Sequence, residues 1–124
     1  MEFKIHSIGN IKQLEDKTVL NIFKEYRDGL EGLKEGMRIL LLLWFDRSDT
    51  PEKRKILKVH PYGNPNNPIR GVFSTRSPIR PNPIAAYIVK ILKIDGNNIF
   101  IEKIDAYDNT PIIDIKLSYH NNIP

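Results

Sequence analysis

Six of the nine prolines, at positions 61, 65, 68, 78, 81 and 83, fall in one 23-residue stretch of this 124-residue chain. Proline locks φ and carries no N–H to donate, so a helix interior there is excluded and the stretch is read as loop and short strand. Its middle, Arg70 to Thr75, holds the strand-favouring Val72 and Phe73. Beyond it runs Arg76-Ser77-Pro78-Ile79-Arg80-Pro81-Asn82-Pro83-Ile84, so that Arg70, Arg76 and Arg80 sit among residues of fixed φ. Guanidiniums held this way lose little ordering entropy on meeting an anion or a carboxylate. The same residues also suit a stiff connection closing a barrel, its arginines capping carbonyls or pairing with Asp105, Asp108 or Asp114.

The rest of the chain reads as strands. Phe3, Ile5 and Ile8 suggest a first short one, and Val19, Ile22, Phe23 and Tyr26 a second over Thr18 to Tyr26. Gly29, Gly32 and Gly36 then mark a loop or at most one helical turn. Met37 to Asp46, with four consecutive leucines, predicts a central strand covered on both faces. Asp46 to Glu52 reads as surface loop, and Lys53 to His60 as an extended segment bearing the densest positive charge. Ile84 to Ile94 predicts another mostly buried strand. Asp95-Gly96-Asn97-Asn98 supplies residues that tolerate positive φ, so a hairpin should return into Ile99 to Ile104. A last strand spans about Ile112 to Tyr119. About seven strands with little helical pattern predict an all-β domain, a small closed barrel with short helical turns in which closure removes exposed edges, occupying 1–124 as one domain.

Several functions drop out. There is no cysteine, which excludes disulfides, thiolate metal sites and cysteine nucleophiles and points to a cytoplasmic setting. The histidines His6, His60 and His120 lack ligand-like spacing, so no metal is expected. The longest apolar run, Ile39 to Phe45, is far short of the roughly 20 residues a membrane helix needs, so no membrane association is expected. Phosphate-loop, dinucleotide, nucleophile-elbow and zinc-protease motifs are absent. Nineteen Lys and Arg against fifteen Asp and Glu give a net charge of +4, which permits a polyanionic partner without requiring one.

Three blocks, in order, carry a resemblance. They are Leu43-Trp44-Phe45-Asp46, the stretch Leu57-Lys58-Val59-His60-Pro61 through Gly71-Val72-Phe73-Ser74-Thr75-Arg76-Ser77-Pro78-Ile79-Arg80-Pro81-Asn82-Pro83-Ile84, and Asp105-Ala106-Tyr107-Asp108-Asn109-Thr110-Pro111-Ile112-Ile113-Asp114-Ile115-Lys116. Together they resemble the TsaA-like (TrmO-like) family of S-adenosylmethionine-dependent tRNA adenine N6-methyltransferases over nearly all of the chain. The resemblance implies a small β-barrel, a homodimer, and an S-adenosylmethionine site at or near the subunit interface. By position it carries cofactor contacts to Phe45, Asp46, Arg76, Ala86, Asp108, Asn109, Thr110 and Pro111. Arg76 suits the methionine carboxylate, Phe45 the apolar cofactor surface, and the Asp108 turn the adenine or ribose.

Methyl transfer to an amine needs mainly alignment, with a polar acceptor orienting the amine as it gains charge; Asn82 or Asp46 suits that catalytic role. Asn82 equally suits an Asx-type bond within its own loop. With tRNA as the partner and DNA not expected, Lys53, Arg54, Lys55, Lys58, Arg70 and Arg80 are candidates to track RNA phosphates and Tyr62 to stack on a base. A solvated basic strand is the alternative for these cations.

The chain departs from the family pattern in places. Asn10-Ile11-Lys12-Gln13-Leu14-Glu15 stands where an S-P-[FY] element is usual, Asp46 where many members have His, Ala85 where many have Gly, and Asn109 in place of the Gly of D-G-T-P. Lys116-Leu117-Ser118-Tyr119 replaces K-P-Y. Three readings therefore stand: a methyltransferase acting on adenine N6, in the fullest form that of a threonylcarbamoyl-modified adenosine beside the anticodon; a cofactor-binding member with another substrate; and a noncatalytic barrel that binds RNA or protein.

Overall fold

The computed structural model describes residues 1–119 and 121, so His120 lies outside the described residues. The chain forms two compact units, Met1–Leu43 with Ala86–Pro124, and Trp44–Ala85.

The first unit carries a closed barrel of six strands in the order β1-β2-β7-β6-β3-β8. These are β1 (Gly9–Gln13), β2 (Lys17–Ile22), β3 (Arg38–Trp44), β6 (Ile84–Asp95), β7 (Asn98–Glu102) and β8 (Pro111–Leu117). A branched aliphatic side chain at every second position of a strand supplies the core: Ile39, Leu41 and Leu43 of β3, with Ile99 and Ile101 of β7, have no exposed surface. At about 25 cal/mol per Å² of apolar area, burial of such side chains is the main stabilising term. The closing seam is β1, whose Gly9 pairs with Ile22 of β2 on one side and with Ile112 of β8 on the other.

The barrel expected from sequence is present, with six strands in it and two more outside among the described residues. Several boundaries move. Phe3 and Ile5 are exposed and precede the first strand. β2 stops at Ile22, and a 3-10 helix occupies Lys24–Leu30. Gly32 and Gly36 then hold φ of +95° and +87°, which a side chain would oppose. The hairpin between β6 and β7 turns on Gly96 and Asn97, with Asp95 paired to Asn98 and Gly96 at φ +62°. β3 is not sealed on both faces, since Leu40 and Leu42 are only half-buried. β6 differs more: Val89 and Ile91 are buried, but Ile88 and Leu92 are 49% and 44% exposed. Its outward positions Ile88 and Leu92, with exposed Lys90 between them, are thus surface rather than core.

In the second unit, α1 (Pro51–Arg54) begins at Thr50, whose hydroxyl accepts from the Lys53 N–H at 3.2 Å, with Pro51 at the first helical position. This replaces the extended segment expected from Lys53. Only β4 (Lys58–Val59) is strand there, and it pairs with β5 (Arg70–Gly71). Val72–Ser74 is a 3-10 turn that buries Val72 and leaves Phe73 exposed.

Candidate functional site

In the Trp44–Ala85 unit, the chain leaving β3 meets the Arg-Pro-Asn-Pro segment through one backbone bond, Phe45 N–H to the Pro83 carbonyl at 2.8 Å. That bond places Asp46 and Asn82 on either side of the same junction. Phe45 is half-buried, while Asp46 and Asn82 are exposed. Among the described residues the Asp46 carboxylate has no hydrogen-bond or ionic partner, which leaves it free to accept.

Arg54 ties this junction together. Its Nε donates to the Pro81 carbonyl at 2.6 Å, Nη2 to Asn82 Oδ1 at 3.0 Å and Nη1 to Asp49 Oδ1 at 3.0 Å. The guanidinium also lies 5.8 Å from the centre of the Trp44 ring, and Trp44 Nε1 donates to Asp49 Oδ2 at 3.3 Å. A half-exposed ion pair such as Arg54–Asp49 contributes at most about 1 kcal/mol alone. Here the same fork makes three bonds at once, and its value is geometric: it fixes two residues of a proline segment against the end of a strand. Arg54, a sequence candidate for phosphate contact, has its guanidinium engaged by bonds within its own unit. Nothing in a Lys-Arg-Lys run distinguishes such a residue from its neighbours.

Arg76 is exposed and is presented by a braced loop. Thr75 Oγ1 donates to the Val72 carbonyl at 2.8 Å and accepts from Ser77 N–H at 3.1 Å, and Ser77 Oγ accepts from Ile79 N–H at 3.1 Å. Arg80 Nη1 donates to the carbonyls of Thr75 and Ser77, at 3.2 and 2.9 Å, on either side of Arg76. Proline stiffness was legible in the sequence; these serine, threonine and arginine braces complete it. Arg80 thereby takes the carbonyl-capping part that the composition also allowed.

Of the remaining candidate cations, Lys53 Nζ donates to the Arg47 carbonyl at 3.2 Å. Lys55, Lys58 and Arg70 are exposed and have no partner among the described residues. Lys58 and Arg70 lie on the paired strands β4 and β5, opposite Gly71 and Val59. Tyr62 follows β4, is 99% exposed and has its backbone at φ +59°, an unusual conformation for an aromatic residue.

In the barrel unit, Asp108-Asn109-Thr110-Pro111 forms the turn into β8, held on β1. The Asn109 N–H donates to the Ile11 carbonyl at 2.9 Å, and the Ile11 N–H to the Thr110 carbonyl at 3.0 Å. Asp108 Oδ1 accepts from Gln13 N–H at 2.8 Å, Lys12 Nζ donates to Asn109 Oδ1, and Thr110 Oγ1 donates to the Tyr107 carbonyl at 2.6 Å. Asn109 adopts φ +66°, the left-handed conformation that asparagine tolerates in place of glycine. The divergent segment Asn10 to Glu15 therefore contains the strand that grips this turn. Gln13, unremarked in the sequence, is its main anchor, donating through Nε2 to the carbonyls of Ile104 and Ala106 at 3.0 and 2.7 Å. Only the register of β1 against β8 would have revealed it.

Ala86, half-buried on β6, neighbours Tyr87, whose hydroxyl donates to Asp105 Oδ1 at 2.7 Å. Burial first, and then the Asp105 carboxylate, push the Tyr87 phenol above its ordinary value of 10.0. Among the described residues there is no cluster of three or more His, Cys, Asp or Glu arranged to hold a metal, and no helix long and apolar enough to cross a membrane.

Fold and site together define a small β-barrel protein with a proline-stiffened, arginine-braced segment that follows β3 and leads into β6. The chain belongs to the family of the tRNA-methyltransferase O N-terminal domain, whose model matches residues 9–123. It is 62% identical over 115 residues to a probable S-adenosyl-L-methionine-binding protein of Methanocaldococcus jannaschii, covering 93% of this chain and 91% of that one. It is 36% identical over 96 residues to a mouse tRNA (adenine(37)-N6)-methyltransferase, covering 77% of this chain but 22% of that protein. Among solved structures, TrmO from Pseudomonas aeruginosa shares the fold at a TM-score of 0.70 and 22% identity, over 99% of this chain and 60% of that one. The chain thus spans less than two thirds of both of these, 22% of the mouse methyltransferase and 60% of the Pseudomonas chain.

Proposed function

We propose that this protein is an S-adenosylmethionine-dependent tRNA methyltransferase acting on adenine N6 at position 37, in the fullest form on a threonylcarbamoyl-modified adenosine. The observation that carries the reading is the Phe45–Pro83 junction, which joins the strand end bearing Phe45 and the unpartnered Asp46 carboxylate to the Pro81-Asn82-Pro83 segment that follows the braced loop of Arg76, in a chain of this family.

The residues present fit the cofactor by their chemistry. By chemistry alone, in the Trp44–Ala85 unit the Arg76 guanidinium matches a methionine carboxylate and Phe45 offers apolar cover, while in the barrel unit the turn of Asp108, Asn109, Thr110 and Pro111 suits adenine or ribose and Ala86 is a contact that the family resemblance implies. When bound, S-adenosylmethionine supplies an activated methyl group and needs no protein nucleophile. On taking up the methyl group the target amine would gain positive charge and give its proton to an acceptor. Asp46 is available as that acceptor, and its negative charge stabilises the positive charge developing on nitrogen. Because alignment dominates such a displacement, the rigidity of the Arg54 and Arg80 braces matters more than any single contact.

For tRNA, Lys55, Lys58 and Arg70 are the phosphate candidates and Tyr62 the stacking platform, with Lys53, Arg54 and Arg80 held by their own unit. With tRNA as the proposed substrate, the proposed setting is the cytoplasm. We assign the homodimer contact to the outer apolar face of the barrel, where Leu40, Ile88, Leu117 and Tyr119 line a groove of about 310 Å³.

A second reading, a cofactor-binding member with another substrate, is favoured by the archaeal relative, which matches nearly end to end and is named for cofactor binding alone. Isothermal calorimetry with S-adenosylmethionine tests what the two readings share. Binding that Arg76→Ala weakens by tenfold or more is expected; no heat at millimolar cofactor would overturn both.

A further inference from the structure

Asn82 has a defined polarity. Arginine carries only donors, so the atom of Asn82 that meets Nη2 at 3.0 Å must be its oxygen. The amide nitrogen has no partner among the described residues, and the side chain is exposed. The backbone on either side is fixed as well: the Pro81 carbonyl accepts from Arg54 Nε at 2.6 Å, and the Asn82 carbonyl accepts from Ile84 N–H at 2.7 Å. The amide can turn over only by placing its NH2 against a guanidinium, donor against donor. Asn82 is thereby presented as a donor, while Asp46, across the Phe45–Pro83 bond, carries the unpartnered acceptor.

We infer that Arg54 is a positioning residue that fixes the Asn82 amide so that its NH2 donates to a carboxylate of the bound ligands, leaving Asp46 as the acceptor for the target amine. This rests on the methyltransferase reading and refines it, since Asn82 and Asp46 then have opposite roles. A carboxylate is chosen because the same segment presents the Arg76 cation. Two ligands could bring it: the methionine part of the cofactor, or the amino-acid part of a threonylcarbamoyl-modified adenosine.

Asn82→Asp provides the test, because it keeps an oxygen for Arg54 and replaces the outward donor by an acceptor. A hydrogen bond to a charged group, once lost, weakens binding by about tenfold or more. If the carboxylate is the cofactor's, calorimetry should show S-adenosylmethionine affinity falling by that factor while methylthioadenosine, which lacks the carboxylate, binds as before. If it is the substrate's, cofactor affinity should hold and KM for the amino-acid-modified tRNA should rise by that factor with kcat little changed. Arg54→Lys keeps the charge but not the fork, and should shift the same constant in the same direction by a smaller factor. Cofactor and tRNA constants both within threefold of wild type in Asn82→Asp would overturn the inference, as would a raised kcat, the result expected of an acceptor.

A ligand-free arm separates this from the function itself. Asn82→Asp should raise the melting temperature in the wild-type background and not in Arg54→Met. Equal effects in both backgrounds would remove the Arg54–Asn82 bond from the account even if methyl transfer is observed. A wild-type protein that binds no cofactor would overturn the function while leaving the melting comparison able to stand.

Discussion

Gly9→Ala should open the barrel at its seam. A Cβ built on Gly9 would lie 2.2 Å from the Asn21 carbonyl oxygen, 3.0 Å from Ile22 Cα and 3.1 Å from the Asn21 carbonyl carbon. All three are backbone atoms of β2, so no rotamer change relieves the clash and one strand must move. Overpacking in a tight site costs about 1–3 kcal/mol. The upper end applies here because the movement also strains the bonds from Ile8 N–H to the Ile112 carbonyl and from Phe23 N–H to the Ile8 carbonyl, both 2.9 Å. A loss of about 3 kcal/mol corresponds to a melting temperature lower by roughly 10 °C in a domain of this size. Since β1 also holds the Asp108 turn through Ile11 and Gln13, weaker cofactor affinity should accompany the loss. Gly29→Ala is the control: nothing lies within 4 Å of its Cβ position, and it should melt within about 2 °C of wild type. Thermal unfolding followed by circular dichroism reads both. A Gly9→Ala protein as stable as the Gly29→Ala control would refute the close approach of β1 to β2.

Two further outcomes are expected. Because the Tyr87 phenol ionises above its ordinary value of 10.0, its contribution to stability is fully present below pH 10 and declines as pH rises beyond it, where the unfolded chain releases the proton first; Tyr87→Phe should flatten that decline in denaturant titrations between neutral pH and pH 11, and an unchanged slope would count against the Tyr87–Asp105 bond. Reversing Lys58 and Arg70 together to Glu should weaken tRNA binding and reduce the slope of log affinity against log salt by about 1.4–1.8, from two phosphate contacts, while sparing cofactor affinity; an unaltered slope would take the β4–β5 ribbon off the RNA path.

What the sequence disclosed follows from the range of the interactions involved. The β6–β7 hairpin was legible because Gly96 and Asn97 act locally, and the loop around Arg76 because proline constrains its own residue and the one before it. Asn109 stands where the family pattern has Gly, which fits the positive φ it adopts. The helix at Pro51 has a local signature too, threonine followed by proline, but it lasts four residues and runs into a lysine-rich segment with no helical periodicity. The exposure of Ile88 and Leu92 on β6 was hidden because both have the composition of a core, and only the closed barrel shows which side of the strand faces in. Arg54 and Gln13 were out of reach for a deeper reason. Arg54 meets Asn82 across 28 positions and Gln13 meets Ala106 across 93, and their roles come from register rather than from residue type.

The central claim is that this barrel transfers a methyl group to an adenine of tRNA. Its most direct test is nucleoside mass spectrometry of tRNA incubated with the purified protein and isotope-labelled S-adenosylmethionine, beside an Asp46→Ala control. The account predicts one labelled methyl on N6 of an adenosine, lost or strongly reduced in the control. A protein that binds the cofactor yet leaves every adenosine of modified and unmodified tRNA unlabelled would contradict it.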